Sequence, residues 1–174
     1  MSLLDQFAPS RLLEMALLAV LGLLAIFIET LPLGLPAQSH PSPDLLLCVV
    51  AYWAIRRPAS APAVLIFALA LVRDLLTDVP VGAGVLSLLI VGEVLKLRRR
   101  RFARVNFAVE WIAVALAAIA SAALHWLLVV LTFAQPPYLS DLLNQSIYTM
   151  MAYPLLALFF RWGLQISWKR AEAV

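Results

Sequence analysis

Charged side chains are scarce in this sequence. Asp, Glu, Lys and Arg make up 13% of its 174 residues, while hydrophobic types make up 64%. A water-soluble globular chain carries about 25% charged and 45–50% apolar residues. The shortage of charge excludes a soluble fold of this size and points to an integral membrane protein. Strict apolar–polar alternation is also missing, which excludes a β-barrel. Lipid-embedded backbone must satisfy its own hydrogen bonds, so the remaining class is all-α. A single cysteine, Cys48, excludes an internal disulfide and a cysteine-based metal site. The two histidines, His40 and His125, fall in a loop and a span with no metal-ligand spacing around them. The sequence also lacks CxxC, HExxH, the phosphate-loop pattern GxxxxGKS/T and the nucleophile elbow GxSxG. It is therefore expected not to be an enzyme and to hold no cofactor.

What is present is a series of six apolar segments in one membrane domain: Leu12–Leu31, Asp44–Ile55, Ala61–Thr77, Val81–Leu97, Phe107–Phe133 and Asp141–Trp162. The first is about 20 residues long, beyond an ordinary signal-peptide core, and reads as a retained span. The second is short. At about 1.5 Å per residue it covers only about 18 Å of a hydrocarbon core about 30 Å thick. Three placements are open to it: starting in the outer headgroup layer, re-entering on the same side, or lying inside the bundle.

The basic residues orient the chain. They follow the second, fourth and sixth segments, and Arg11 precedes the first. With six crossings and both termini cytoplasmic, all thirteen Lys and Arg except Arg73 fall on the cytoplasmic side. The net charge of +3 therefore implies a membrane surface, not nucleic acid. The run Arg98, Arg99, Arg100, Arg101 with Arg104 reads as a topology anchor, compatible with contact to anionic lipid.

Polar residues inside spans are the candidates for function or for packing. Arg73 and Asp74, in LVRDLLTDVPVG, sit near the outer end of the third segment. Adjacent residues do not face each other on a helix, so each needs its own partner. Glu29, at similar depth in the first segment, is a counter-ion candidate for Arg73. Asp74 and Asp78 would share a helix face, so the helix is expected to end before Asp78. Asp74 then either caps nearby amides or accepts from another span. His125 reads as a hydrogen-bonded interior residue, with a proton relay as the rival. The small residues of AVALAAIASAALHW, and Gly82, Gly84 and Ser87, suit internal packing or the docking of a partner helix. Asp141, Asn144, Gln145, Tyr148 and Thr149 make the outer half of the sixth segment polar. Asn144 and Tyr148 share a face, expected to point inward or at a partner. Pro154 should kink that helix.

In order along the chain, Pro43-Asp44, Tyr52-Trp53, Asp74-Leu75 and Gly82 resemble the pattern of the rod shape-determining MreD family, over nearly the whole length. Arg73 is not part of that pattern. The resemblance implies a non-enzymatic inner-membrane partner of MreC, within the machinery that builds lateral peptidoglycan. MreB, RodA and a class B penicillin-binding protein are its wider partners. It also implies a fold similar to the six-helix substrate-binding components of energy-coupling-factor vitamin transporters. A vitamin-binding transport component is thus the alternative. The sequence shows no dense polar cluster beyond the start of the sixth segment, which weighs against it.

Overall fold

A computed structural model describes residues 9–31, 42–77, 82–102, 107–131 and 138–171, with side chains described over most of these. Among them are six α-helices and no strand: α1 Pro9–Thr30, α2 Leu45–Arg56, α3 Ala63–Leu76, α4 Ala83–Phe102, α5 Phe107–Leu131 and α6 Leu139–Ala171. A single 3₁₀ turn, Pro58–Ser60, links α2 to α3. By length and composition, Arg11–Thr30 and α5 could each cross a membrane.

Local chemistry sets the helix ends. Asp44 is the N-cap of α2, where its Oδ1 accepts from the Leu47 amide at 2.8 Å. Pro58 cannot continue α2, and the chain turns after Arg57, whose amide donates to the Trp53 carbonyl at 2.7 Å. Pro62, with no N–H to lose, precedes α3. That helix stops at Leu76, and the Thr77 hydroxyl donates back to the Arg73 carbonyl at 3.1 Å. Asp78 lies outside the described residues. Gly82, at φ +107°, brings the chain into α4 through a backbone region that side-chain-bearing residues rarely adopt.

The short α2 lies inside the bundle. It packs against α1, α4 and α6, with a smaller contact to α5, and nine of its twelve residues are buried. Trp53 is fully buried; its ring meets Phe160 of α6 edge-on at 5.4 Å, and Tyr52 lies 5.2 Å from the same ring. The other five helices all carry exposed large apolar side chains, such as Leu13, Val64, Leu97, Leu116 and Leu155. Enclosure by neighbours explains how a helix of this length exists among apolar elements: its ends need not reach two lipid interfaces unaided.

Pro154 lies within α6, which continues on both sides of it. A proline at this position leaves the Met150 carbonyl without its usual donor. The indole Nε1 of Trp111 on α5 supplies the donor instead, at 2.8 Å.

Candidate functional site

Polar side chains gather at the two ends of the bundle. One end is built on Arg73. Its Nε lies 3.2 Å from Glu29 Oε2, and its Nη1 lies 3.1 Å from both Asp44 carboxylate oxygens. One guanidinium of α3 thus holds α1 and the start of α2 together. Glu29 Oε1 also accepts the Leu46 amide at 3.0 Å, and the Asp44 amide donates to Thr149 Oγ1 of α6 at 2.8 Å. Residue 44 therefore caps its own helix, neutralises part of a charge and ties down α6. Pro43 precedes it and starts the turn whose carbonyl accepts the Leu45 amide at 3.0 Å.

Asp74 points the other way, to α4. Its Oδ2 accepts from the Gly82 amide at 2.9 Å and from the Val85 amide at 3.2 Å, filling two of the donors that a helix start leaves open. The carboxylate approaches so closely that a Cβ on Gly84 would lie 2.1 Å from Asp74 Oδ1. Glycine at 84 is needed for that approach. Asp74 thus caps amides and, among the described residues, accepts from no side chain of a neighbouring span.

Around these groups is a cavity of about 380 Å³, walled by side chains from all six helices. Glu29, Arg73 and Asp74 lie on its wall, together with His125, Asp141 and Gln145. The cavity corrects the expectation that no polar cluster exists beyond the start of the sixth segment. Each helix, counted with its caps, contributes only one to four polar residues, so no stretch of sequence looks dense. His125 lines this cavity half-buried and makes no hydrogen bond among the described residues, unlike the bonded interior residue expected of it. Asn144 and Tyr148 do share a face, but both are exposed on the outside of α6, Tyr148 by 48%. They do not point into the bundle. The inward-facing polar residues of α6 are Asp141, Gln145, Ser146 and Thr149.

The opposite end is organised by two acids that sequence reasoning missed. Glu110 of α5 has a side chain only 2% exposed; it pairs with Arg56 of α2 and accepts the Tyr153 hydroxyl of α6 at 2.8 Å. Glu14 of α1 pairs with Arg57 and accepts the Ser60 hydroxyl. The only sequence signal for either was an acid within an apolar segment, 43 positions from Arg57 for Glu14 and 54 from Arg56 for Glu110. Arg98 is exposed on α4; the side chains of Arg99, Arg100 and Arg101, and all of Arg104, lie outside the described residues.

No family model matches the chain, and no curated protein or solved structure matches it. The resemblance to MreD consequently rests on the motif residues themselves. Among these, Asp44 and Gly82 lead into helices, Asp74 caps the start of α4 from the end of α3, and Tyr52 and Trp53 pack on Phe160. No three His, Cys, Asp or Glu side chains among the described residues come together to hold a metal ion.

Proposed function

We propose that the chain is a non-enzymatic, six-span protein of the bacterial inner membrane of the MreD type, with both termini inside, which binds MreC and thereby biases lateral peptidoglycan synthesis. The observation that carries this reading is how Arg73, Glu29, Asp44 and Asp74 are used. Their charges are spent on one another and on helix-start amides, a way to hold a rigid frame at one end of a bundle. Such a frame suits a scaffold more than a proton path, which needs groups free to exchange protons. Six crossings are supported by the placement of Lys and Arg, and by apolar side chains facing outward on every helix but the enclosed α2. RodA, a class B penicillin-binding protein and MreB would join through the wider complex.

Co-purification from detergent tests the reading. Full-length MreC should be retained by the tagged chain, and retention should fall when outer-half surface residues such as Asn144 and Tyr148 are replaced by leucine. Failure of MreC to co-purify with the unaltered chain would overturn the proposal. A second reading, the vitamin-binding component of an energy-coupling-factor transporter, is favoured by one observation, the 380 Å³ cavity, which is large enough for a small molecule. A vitamin found by mass spectrometry in the purified protein would select it.

A further inference from the structure

The cavity at the Arg73 end contains a second set of groups that the frame does not use. Four carboxyl side chains line it, Glu29, Asp44, Asp74 and Asp141, against the single guanidinium of Arg73. Three of the four are engaged as described above. Asp141 is not: among the described residues its carboxylate accepts only from the hydroxyl of the adjacent Ser140, at 3.5 Å. Ser121 of α5 is also unengaged. It is 7% exposed, lies on the cavity wall and makes no hydrogen bond among the described residues. Other cavity hydroxyls behave differently. Ser87, Ser146 and Thr149 each donate to a carbonyl of their own helix, at 2.9, 2.8 and 2.7 Å. A hydroxyl on a cavity wall with no protein partner is available to bond whatever enters the cavity. The side-chain amide of Gln145 likewise makes no hydrogen bond among the described residues.

These groups converge by helix geometry. Asp141 and Gln145 are four apart on α6, Ser121 and His125 four apart on α5, and the two helices pack together. The wall thus offers one uncommitted carboxylate and two neutral oxygens, Gln145 Oε1 and Ser121 Oγ, to an incoming donor. The excess of carboxyl groups disfavours an anion. The lack of a three-ligand set disfavours a metal ion. A primary ammonium carries three N–H donors and a positive charge.

We propose that this cavity binds a primary ammonium group, with Asp141 as its counter-ion and Ser121 and Gln145 as its orienting acceptors. The ammonium could belong to a free small amine or to the headgroup of an ethanolamine lipid. The proposal goes beyond the scaffold reading, and MreC retention reports on the two separately.

The test uses the full chain in detergent, followed by tryptophan fluorescence during heating. Ethanolamine should raise the unfolding temperature saturably, while ethylene glycol, its neutral counterpart, and acetate should not. Asp141→Asn should weaken the ethanolamine effect by about tenfold or more, the loss of one charge-assisted hydrogen bond. Asp141 is only half-buried and ties no helices together, so this variant should unfold at the wild-type temperature without ligand. Ser121→Val, which keeps the side chain's size, should also weaken binding. The lipid arm compares nanodiscs of phosphatidylethanolamine and phosphatidylglycerol by native mass spectrometry. Selective retention of phosphatidylethanolamine, lost in Asp141→Asn, supports the proposal with a lipid as the source; ethanolamine binding alone supports it with a free amine. Equal shifts from ethylene glycol and ethanolamine, binding unchanged in both variants, or no response in either arm overturns it.

Discussion

Asp74 serves two amides from one carboxylate oxygen, so the two possible substitutions at this position should differ. Asp74→Ala strands the Gly82 and Val85 donors near a buried cavity and should cost about 1–3 kcal/mol. Asp74→Asn keeps one carbonyl oxygen as acceptor and should cost less. Gly84→Ala should destabilise the wild type, because its Cβ meets the Asp74 carboxylate, and should cost less when Asp74 is already alanine. Thermal unfolding of the four proteins in detergent checks this; additive losses would mean that the contact does not limit residue 84. Arg73 shows the complementary case, where the partners are charged. Removing it would leave Glu29 and Asp44 facing each other at the end of the bundle, the situation in which breaking a buried pair costs more than the pair contributes.

Between elements, one hydrogen bond joining α5 to α6 depends on a proline. Pro154 removes one donor from the ladder of α6, and the freed Met150 carbonyl takes the Trp111 indole. Trp111→Phe should therefore cost about 1 kcal/mol in the wild type. In a Pro154→Ala background the restored amide bonds Met150 from within the helix, and the same tryptophan substitution should cost measurably less. A double-mutant cycle on unfolding free energy reads the coupling directly. The kink expected from Pro154 thus has a packing counterpart that the proline alone did not announce. The second pair, exposed Arg56 with buried Glu110 and the Tyr153 hydroxyl, ties α2, α5 and α6 at the opposite end. The two ends of α2 are in this way fixed by ion pairs while its middle packs on apolar neighbours.

For the whole molecule, enclosure of α2 makes a prediction about Cys48. Its thiol is fully buried and faces the Thr149 carbonyl at 3.6 Å. Membrane-permeant N-ethylmaleimide should leave Cys48 unmodified in the folded protein and label it after unfolding in SDS, read by mass spectrometry. Rapid labelling of the native protein would indicate a re-entrant α2 open to water. Among the three placements open to the second segment, the structure has it inside the bundle, against α1, α4 and α6.

By itself the sequence determined the all-helical class and, within a few residues, where the helices start; α4 and α6 run on to Phe102 and Ala171, past the expected ends at Leu97 and Trp162. Those features are legible because they depend on neighbours within a few positions: Asp44 three residues before the amide it caps, Pro58 just beyond the end of α2, and Asp74 and Gly82 flanking a short turn. Glu29 was legible as a partner of Arg73 because both lie at the same depth, and depth can be counted along a helix. Only the tertiary structure decided that Asp44 shares that guanidinium, that Thr149 bonds back to the start of α2, that Glu110 is buried against Arg56, and that Asn144 faces outward. These contacts join residues 29 to 105 positions apart, for which helical periodicity gives a face but not the neighbour. The cavity was hidden for the same reason: its polar wall is made of one to four residues from each helix and its caps, and they become a cluster only when the helices pack.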